Sequence, residues 1–272
     1  MESKRKSMWK KIAILLLFFY VSVGVSLYYF QEKIIFHPIV LAADYQFKFD
    51  IPFEEKLIKV NDKEQLSAIL FKADSAKGIV LYFHGNARNV VQYAQYAPNF
   101  TKHGYDVLVM DYRKFGKSTG KLSEQGMYDD AMLMYNMARG RFQPQDIIIY
   151  GKSLGTGVAA ELAAIRDCQR LILETPYYKL ADLGRKYAPI YPLSLLMDYQ
   201  FPTYEYLQKV TAPITIFHGD DDETVPFSSG EKLKPLLKKP TDLFVTIPGG
   251  RHNNLNKFPL FHGKLDSLLM VR

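Results

Sequence analysis

Ile147-Ile148-Ile149-Tyr150-Gly151-Lys152-Ser153-Leu154-Gly155-Thr156-Gly157-Val158-Ala159-Ala160 packs three local signals into one short run. The apolar, β-branched start reads as a strand buried on both faces. The Ala-rich stretch from Thr156 to Arg166 reads as a helix. Between them, Gly151-Lys152-Ser153-Leu154-Gly155 is a G-x-S-x-G pentapeptide. A serine in so tight a strand-to-helix turn needs neighbours without bulky Cβ substituents, which the two glycines provide. Taken alone, the pentapeptide is equally an ordinary turn with Ser153 as a helix N-cap. Strand before and helix after make it a turn that presents Ser153 Oγ above a sheet, as a nucleophile.

Outward from that turn, short β-branched runs alternate with longer amphipathic ones, the pattern of a mostly parallel sheet flanked by helices. Leu57 to Val60 and Leu66 to Phe71 read as an antiparallel opening hairpin. Gly78 to Phe83, Val107 to Asp111, Ile147 to Tyr150, Leu171 to Leu173, Ile214 to Phe217 and Leu243 to Ile247 read as the following strands. Helices are expected over Val90 to Lys102, Ser123 to Arg139 and Thr156 to Arg166, with Gly104 closing the first as a C-cap. The expected fold class is therefore α/β with eight strands. In such sheets reactive side chains gather beyond the C-terminal strand ends. A serine nucleophile needs a base to take its proton and a carboxylate to hold that base in one tautomer. His252 follows the last strand, and Asp220, Asp221 and Asp222 follow the one before it. Chemistry alone leaves the choice among the three aspartates open. His262, the other late histidine, falls inside an expected terminal helix.

From about Ile34 onward the chain resembles the α/β-hydrolase superfamily, and within it the single-pass, membrane-anchored branch that includes depalmitoylating thioesterases and lysophospholipases. The resemblance rests on Ile34-Ile35-Phe36-His37-Pro38, His84-Gly85-Asn86-Ala87, Asp111-Tyr112-Arg113-Lys114-Phe115-Gly116-Lys117-Ser118, Gly151-Lys152-Ser153-Leu154-Gly155 and the Asp222 and His252 loops. It implies a catalytic triad of Ser153, Asp222 and His252, the family pattern His-Gly-x-x-Asp-x-x-Val-Pro selecting Asp222. It also implies an oxyanion hole formed by the backbone N–H groups of Asn86 and Leu154, and gives His84 the task of holding the loop. Two departures stand out. Lys114 occupies a position where glycine is usual, so the loop is expected to bend differently. Glu174-Thr175-Pro176-Tyr177 replaces a Ser-Pro-Phe turn. The family's helical lid falls at about 176–209. Its tyrosines and leucines suit either an apolar acyl pocket or plain packing.

From Ile12 to Phe30 no residue is charged, a run of about 19 residues that is long enough as a helix to span a ~30 Å hydrocarbon core. Trp9 before it and Tyr28, Tyr29 and Phe30 at its end suit the two interfaces. The run is longer than a signal-peptide core and lacks a good Ala-x-Ala site, which favours an uncleaved anchor over residues 1–33 and a catalytic domain over 34–272. The flanking Lys4, Arg5, Lys6, Lys10 and Lys11 place the N-terminus in the cytoplasm and the catalytic domain on the far side. With Glu2, these residues supply +4 of the +7 net charge. The remainder is only mildly basic and carries no aromatic-interleaved stripe, so nucleic acid is not an expected partner. Cys168 is the only cysteine, which excludes an intrachain disulfide and any two-thiol metal or redox motif. No cofactor is expected, and the aspartate run lacks the spacing of a calcium loop. The expected activity is hydrolysis of an acyl ester or thioester of a lipid or acylated protein through an acyl-enzyme on Ser153. A peptidase and a non-catalytic membrane scaffold are the alternatives.

Overall fold

Runs such as Ile147-Ile148-Ile149 have no polar face to offer water, so each must be flanked by strands and covered by helices above and below. The computed structural model, which describes residues 2–270, meets that requirement. In chain order its elements are α1 (Glu2–Ile35), β1 (His37–Pro38), β2 (Phe53–Lys59), β3 (Gln65–Phe71), β4 (Gly78–Phe83), β5 (Ala87–Arg88), α2 (Val90–Tyr93), α3 (Pro98–Thr101), β6 (Tyr105–Met110), α4 (Glu124–Arg139), β7 (Ile147–Lys152), α5 (Gly155–Ile165), β8 (Arg170–Glu174), α6 (Leu180–Gly184), α7 (Leu193–Leu196), α8 (Thr203–Leu207), β9 (Ile214–Gly219), α9 (Phe227–Glu231), β10 (Leu243–Ile247) and α10 (Pro259–Met270).

Eight strands form one sheet in the order β10-β9-β8-β7-β4-β6-β3-β2. The pairs β2–β3 and β3–β6 are antiparallel, and every other pair in the sheet is parallel. Alternate residues face opposite ways. Leu81, Ile149, Leu171 and Ile216 enter one core with side chains of α4 and α5. Val80, Ile148, Ile172 and Phe217 enter the other, with Phe100 and with Phe261 and Leu265 of α10.

The stretch expected as one helix over Val90 to Lys102 is instead α2, a 3-10 turn at Ala94–Tyr96, and α3. Pro98 has no N–H to continue an α-helical ladder, so the chain restarts there. Gly104 follows with φ +78°, the left-handed geometry expected of it. Helix α1 runs past both ends of the uncharged run and is long and apolar enough to cross a membrane. It meets the body along one face only. The Tyr20 ring stacks on Tyr191 with centroids 4.6 Å apart. Near the end of α1, Gln31 Oε1 accepts the Asp198 N–H at 2.7 Å. Immediately after α1, β1 pairs with β5, and the His37 N–H donates to Asn86 O at 2.8 Å.

Candidate active site

At the end of β7 the backbone turns sharply, with Ser153 at φ +52°. A Cβ on Gly155 would stand 2.1 Å from the Phe83 carbonyl oxygen, and one on Gly151 2.5 Å from the Gly155 oxygen. Only glycine lets β7, β4 and α5 approach this closely. The strained turn is thus enforced by packing around it, and it points Ser153 Oγ at His252.

The Ser153 Oγ to His252 Nε2 distance is 2.8 Å, and His252 Nδ1 lies 2.8 Å from Asp222 Oδ2. A carboxylate can only accept, so Nδ1 carries the proton and Nε2 is left to accept from the serine hydroxyl. Asp222 Oδ1 accepts the N–H groups of Thr224 and Val225 at 2.9 and 2.8 Å. Burial by itself would raise the Asp222 carboxyl. His218, His252 and the Val225 N–H outweigh it and hold the group well below the usual carboxylate range. His218 is the support that sequence reasoning missed. It is fully buried, with Nε2 3.0 Å from Val225 O and 3.5 Å from Asp222 Oδ2. Its signal was a second His-Gly pair at a strand end.

The other two aspartates go elsewhere. Asp220 accepts the Gly249 N–H at 2.7 Å, and Asp221 pairs with Arg251 at 3.0 Å. His262 lies in α10, bonded to Asn256 O. His84 is fully buried, with Nδ1 2.7 Å from Gly85 O and its ring packed on Tyr112 and Tyr93. The Asn86 side chain donates to Ile35 O at the end of α1. The backbone N–H groups of Asn86 and Leu154 have no acceptor among the described residues. Both residues line the same cavity as Ser153.

That cavity has a volume of about 300 Å³. Tyr177, Leu180, Leu183, Leu193, Leu196 and Met197 supply one wall. A further set of lining residues was not foreseen. It is Leu27, Gln31, Ile34 and Ile35 of α1. None of the residues lining the cavity is charged. The aromatics of 176–209 divide between two roles. Tyr177 and Tyr187 line the cavity, whereas Tyr199 and Phe201 are core side chains and Tyr178 stacks on Tyr204 at 4.3 Å.

An ion pair next to Ser153 also escaped the sequence reading. Lys152, the first of the pentapeptide's two variable residues, is buried and forms an ion pair with Glu174, which also accepts from the Tyr150 hydroxyl. Lys152 Nζ lies 3.5 Å from His252 O. Lys114 adopts φ +70°, in the left-handed region that favours glycine, and its ammonium pairs with Glu32 of α1. Among the described residues no group of three or more His, Cys, Asp or Glu is placed to hold a metal ion.

Comparison with known proteins bears on the family and the fold. A family model described as serine aminopeptidase, S33, matches residues 74–206. The lysophosphatidylserine lipase ABHD12 of Danio rerio is 32% identical over 225 residues, covering 72% of this chain and 59% of that protein. The uncharacterized protein YfhR of Escherichia coli O157:H7 is 31% identical, covering 73% of this chain and 70% of its own length. The chain thus spans about six-tenths of the length of the first of these relatives. Among solved structures, the Pyrococcus furiosus esterase Pf2001 superposes with a TM-score of 0.67 at 18% identity, over 86% of this chain and 96% of the esterase. Sheet order, glycine-flanked turn and sequence likeness converge, and the chain belongs to the α/β-hydrolase superfamily.

Proposed function

We propose that the protein is a membrane-anchored serine hydrolase that cleaves a carboxylic ester or thioester of a lipid-like acyl substrate. The observation that carries this reading is the hydrogen-bonded series Ser153–His252–Asp222, whose serine lines an uncharged cavity. Ser153 Oγ attacks the acyl carbon while His252 Nε2 takes its proton. The N–H groups of Asn86 and Leu154 receive the developing oxyanion. His252 then protonates the departing alcohol or thiol, leaving an ester on Ser153. Water, deprotonated by His252, releases the acid and restores the serine. The lipase activity named for the Danio rerio relative supports a lipid ester. The basic cluster before the apolar run supports an orientation with the body on the non-cytoplasmic side.

A peptidase reading draws on the description of the matching family model. An aminopeptidase must neutralise a free α-amino group, and a cavity without a charged side chain offers nothing to do so. Labelling of membrane-extracted protein with a fluorophosphonate probe tests the proposal. Wild type is expected to label and Ser153→Ala to lose the label. Absence of labelling in folded wild type would overturn the catalytic reading.

A further inference from the structure

The segment that lines the cavity together with α1 carries large apolar side chains exposed to the outside: Tyr187 is 80% exposed, Ile190 70% and Leu195 85%. An apolar patch of this kind marks an interaction surface. Its position along α1 identifies the partner. Tyr20 stacks on Tyr191 and donates to Ile190 O at 3.1 Å, and Gly24 lies against the Tyr191 ring. Tyr20 stands about eleven residues before Gln31, where the apolar run has ended. At ~1.5 Å per residue this is roughly 16 Å, about half the thickness of a ~30 Å hydrocarbon core. A helix that spans the bilayer therefore carries this part of the segment down into the leaflet with it.

Polar groups fall where this placement requires them. Gln31 and Asp198, which bond each other, mark the level at which α1 leaves the apolar run. Arg185 and Lys186 immediately precede Tyr187, and Arg185 lies 3.7 Å from Asp182. Their long stems can stay in apolar surroundings while the charged ends reach back to headgroup phosphates. The cavity itself is lined by Leu27 and Ile34 of α1 together with Leu183 and Leu196 of this segment, and Ser153 is among its lining residues.

We propose that residues 187–195 are embedded beside α1 in one leaflet, and that an acyl chain passes sideways out of the bilayer, between α1 and this segment, to Ser153. Leu27 and Ile34 then touch the chain and help to set its accepted length. Entry of substrate rests on the hydrolase reading above, whereas embedding does not.

The full chain in phosphatidylcholine vesicles tests both. In a Cys168→Ala background, Leu195→Cys and Gln145→Cys are each labelled with a bimane fluorophore. Gln145 is an exposed residue next to the start of β7, at the end of the sheet opposite Ser153. Nitroxide on the lipid chain is expected to quench the label at position 195 and not that at 145, and aqueous iodide to do the reverse. Equal iodide quenching at both would overturn embedding. For entry, the Ile190→Asp/Leu195→Asp variant is expected to lose about tenfold in hydrolysis of a long-chain ester held in vesicles, yet stay within about twofold on p-nitrophenyl acetate. Unchanged activity on both overturns lateral entry. If wild type cleaves neither ester the hydrolase reading fails, while the quenching result still decides embedding.

Discussion

Asp220, Asp221 and Asp222 sit side by side, and each carboxylate has its own destination: a loop N–H, an arginine and the buried side of His252. Asp222→Asn is expected to lower kcat by roughly 10³–10⁴, because an amide can present a donor to Nδ1 and favour the wrong tautomer. Asp220→Asn is expected to keep near-normal turnover. Steady-state kinetics on one ester separates the two. Ser153 and His252 were legible because a motif and a strand end announce them. The Lys152–Glu174 pair was not, since it depends on the register that sets these residues opposite each other across β7 and β8. Removing one member of a buried pair strands the other. Lys152→Met is therefore expected to cost about 3–5 kcal/mol. The double variant Lys152→Met/Glu174→Leu is expected to recover more than half of that in thermal melts.

Glycine at 155 is demanded by the crossing of α5 over β4. Gly155→Ala would drive a methyl group into a backbone oxygen that has no side-chain freedom to escape. It is expected to destabilise by about 4 kcal/mol or more, read as a large fall in melting temperature, whereas Ser153→Ala leaves the fold intact. Strands were the most legible elements because uninterrupted β-branched runs admit few other readings. The helix over Val90 to Lys102 was overdrawn because its apolar spacing outweighed Pro98. The cavity-facing side of α1 was hidden for a different reason. A helix apolar all round has no sequence-marked face, and only the fold shows that Tyr20, Gly24, Leu27 and Gln31 turn toward the body.

Acidification probes the whole molecule at once. Asp222 and Asp266 have carboxyl groups held below their ordinary values, against the opposing effect of burial, chiefly by hydrogen bonds from His218 and His252 and from Lys102 and His103 respectively. Below about pH 4 the unfolded chain binds more protons at these groups than the folded one. Their contribution is thus complete above that pH and is lost as pH falls. Asp111 and Asp130, raised by burial, act in the opposite sense. Melting temperatures between pH 5 and pH 3 are expected to fall for wild type and to fall less steeply for Asp222→Asn; parallel slopes would contradict the assignment. At this scale the sheet and the order Ser, Asp, His could be read ahead of the structure. The cavity between α1 and the body could not, because it joins segments far apart in the chain. The small ribbon of β1 and β5 completes that junction, tying the first residues after α1 to the loop that carries Asn86. Under the anchoring proposed above, an α1 stitched down in this way would leave the body no swivel and hold the serine at a constant height and bearing over the lipid surface. Such a catalyst would meet a lipid substrate by two-dimensional diffusion, and its rate is then expected to follow the mole fraction of substrate in the membrane, falling as inert lipid is added even when the bulk concentration is held fixed.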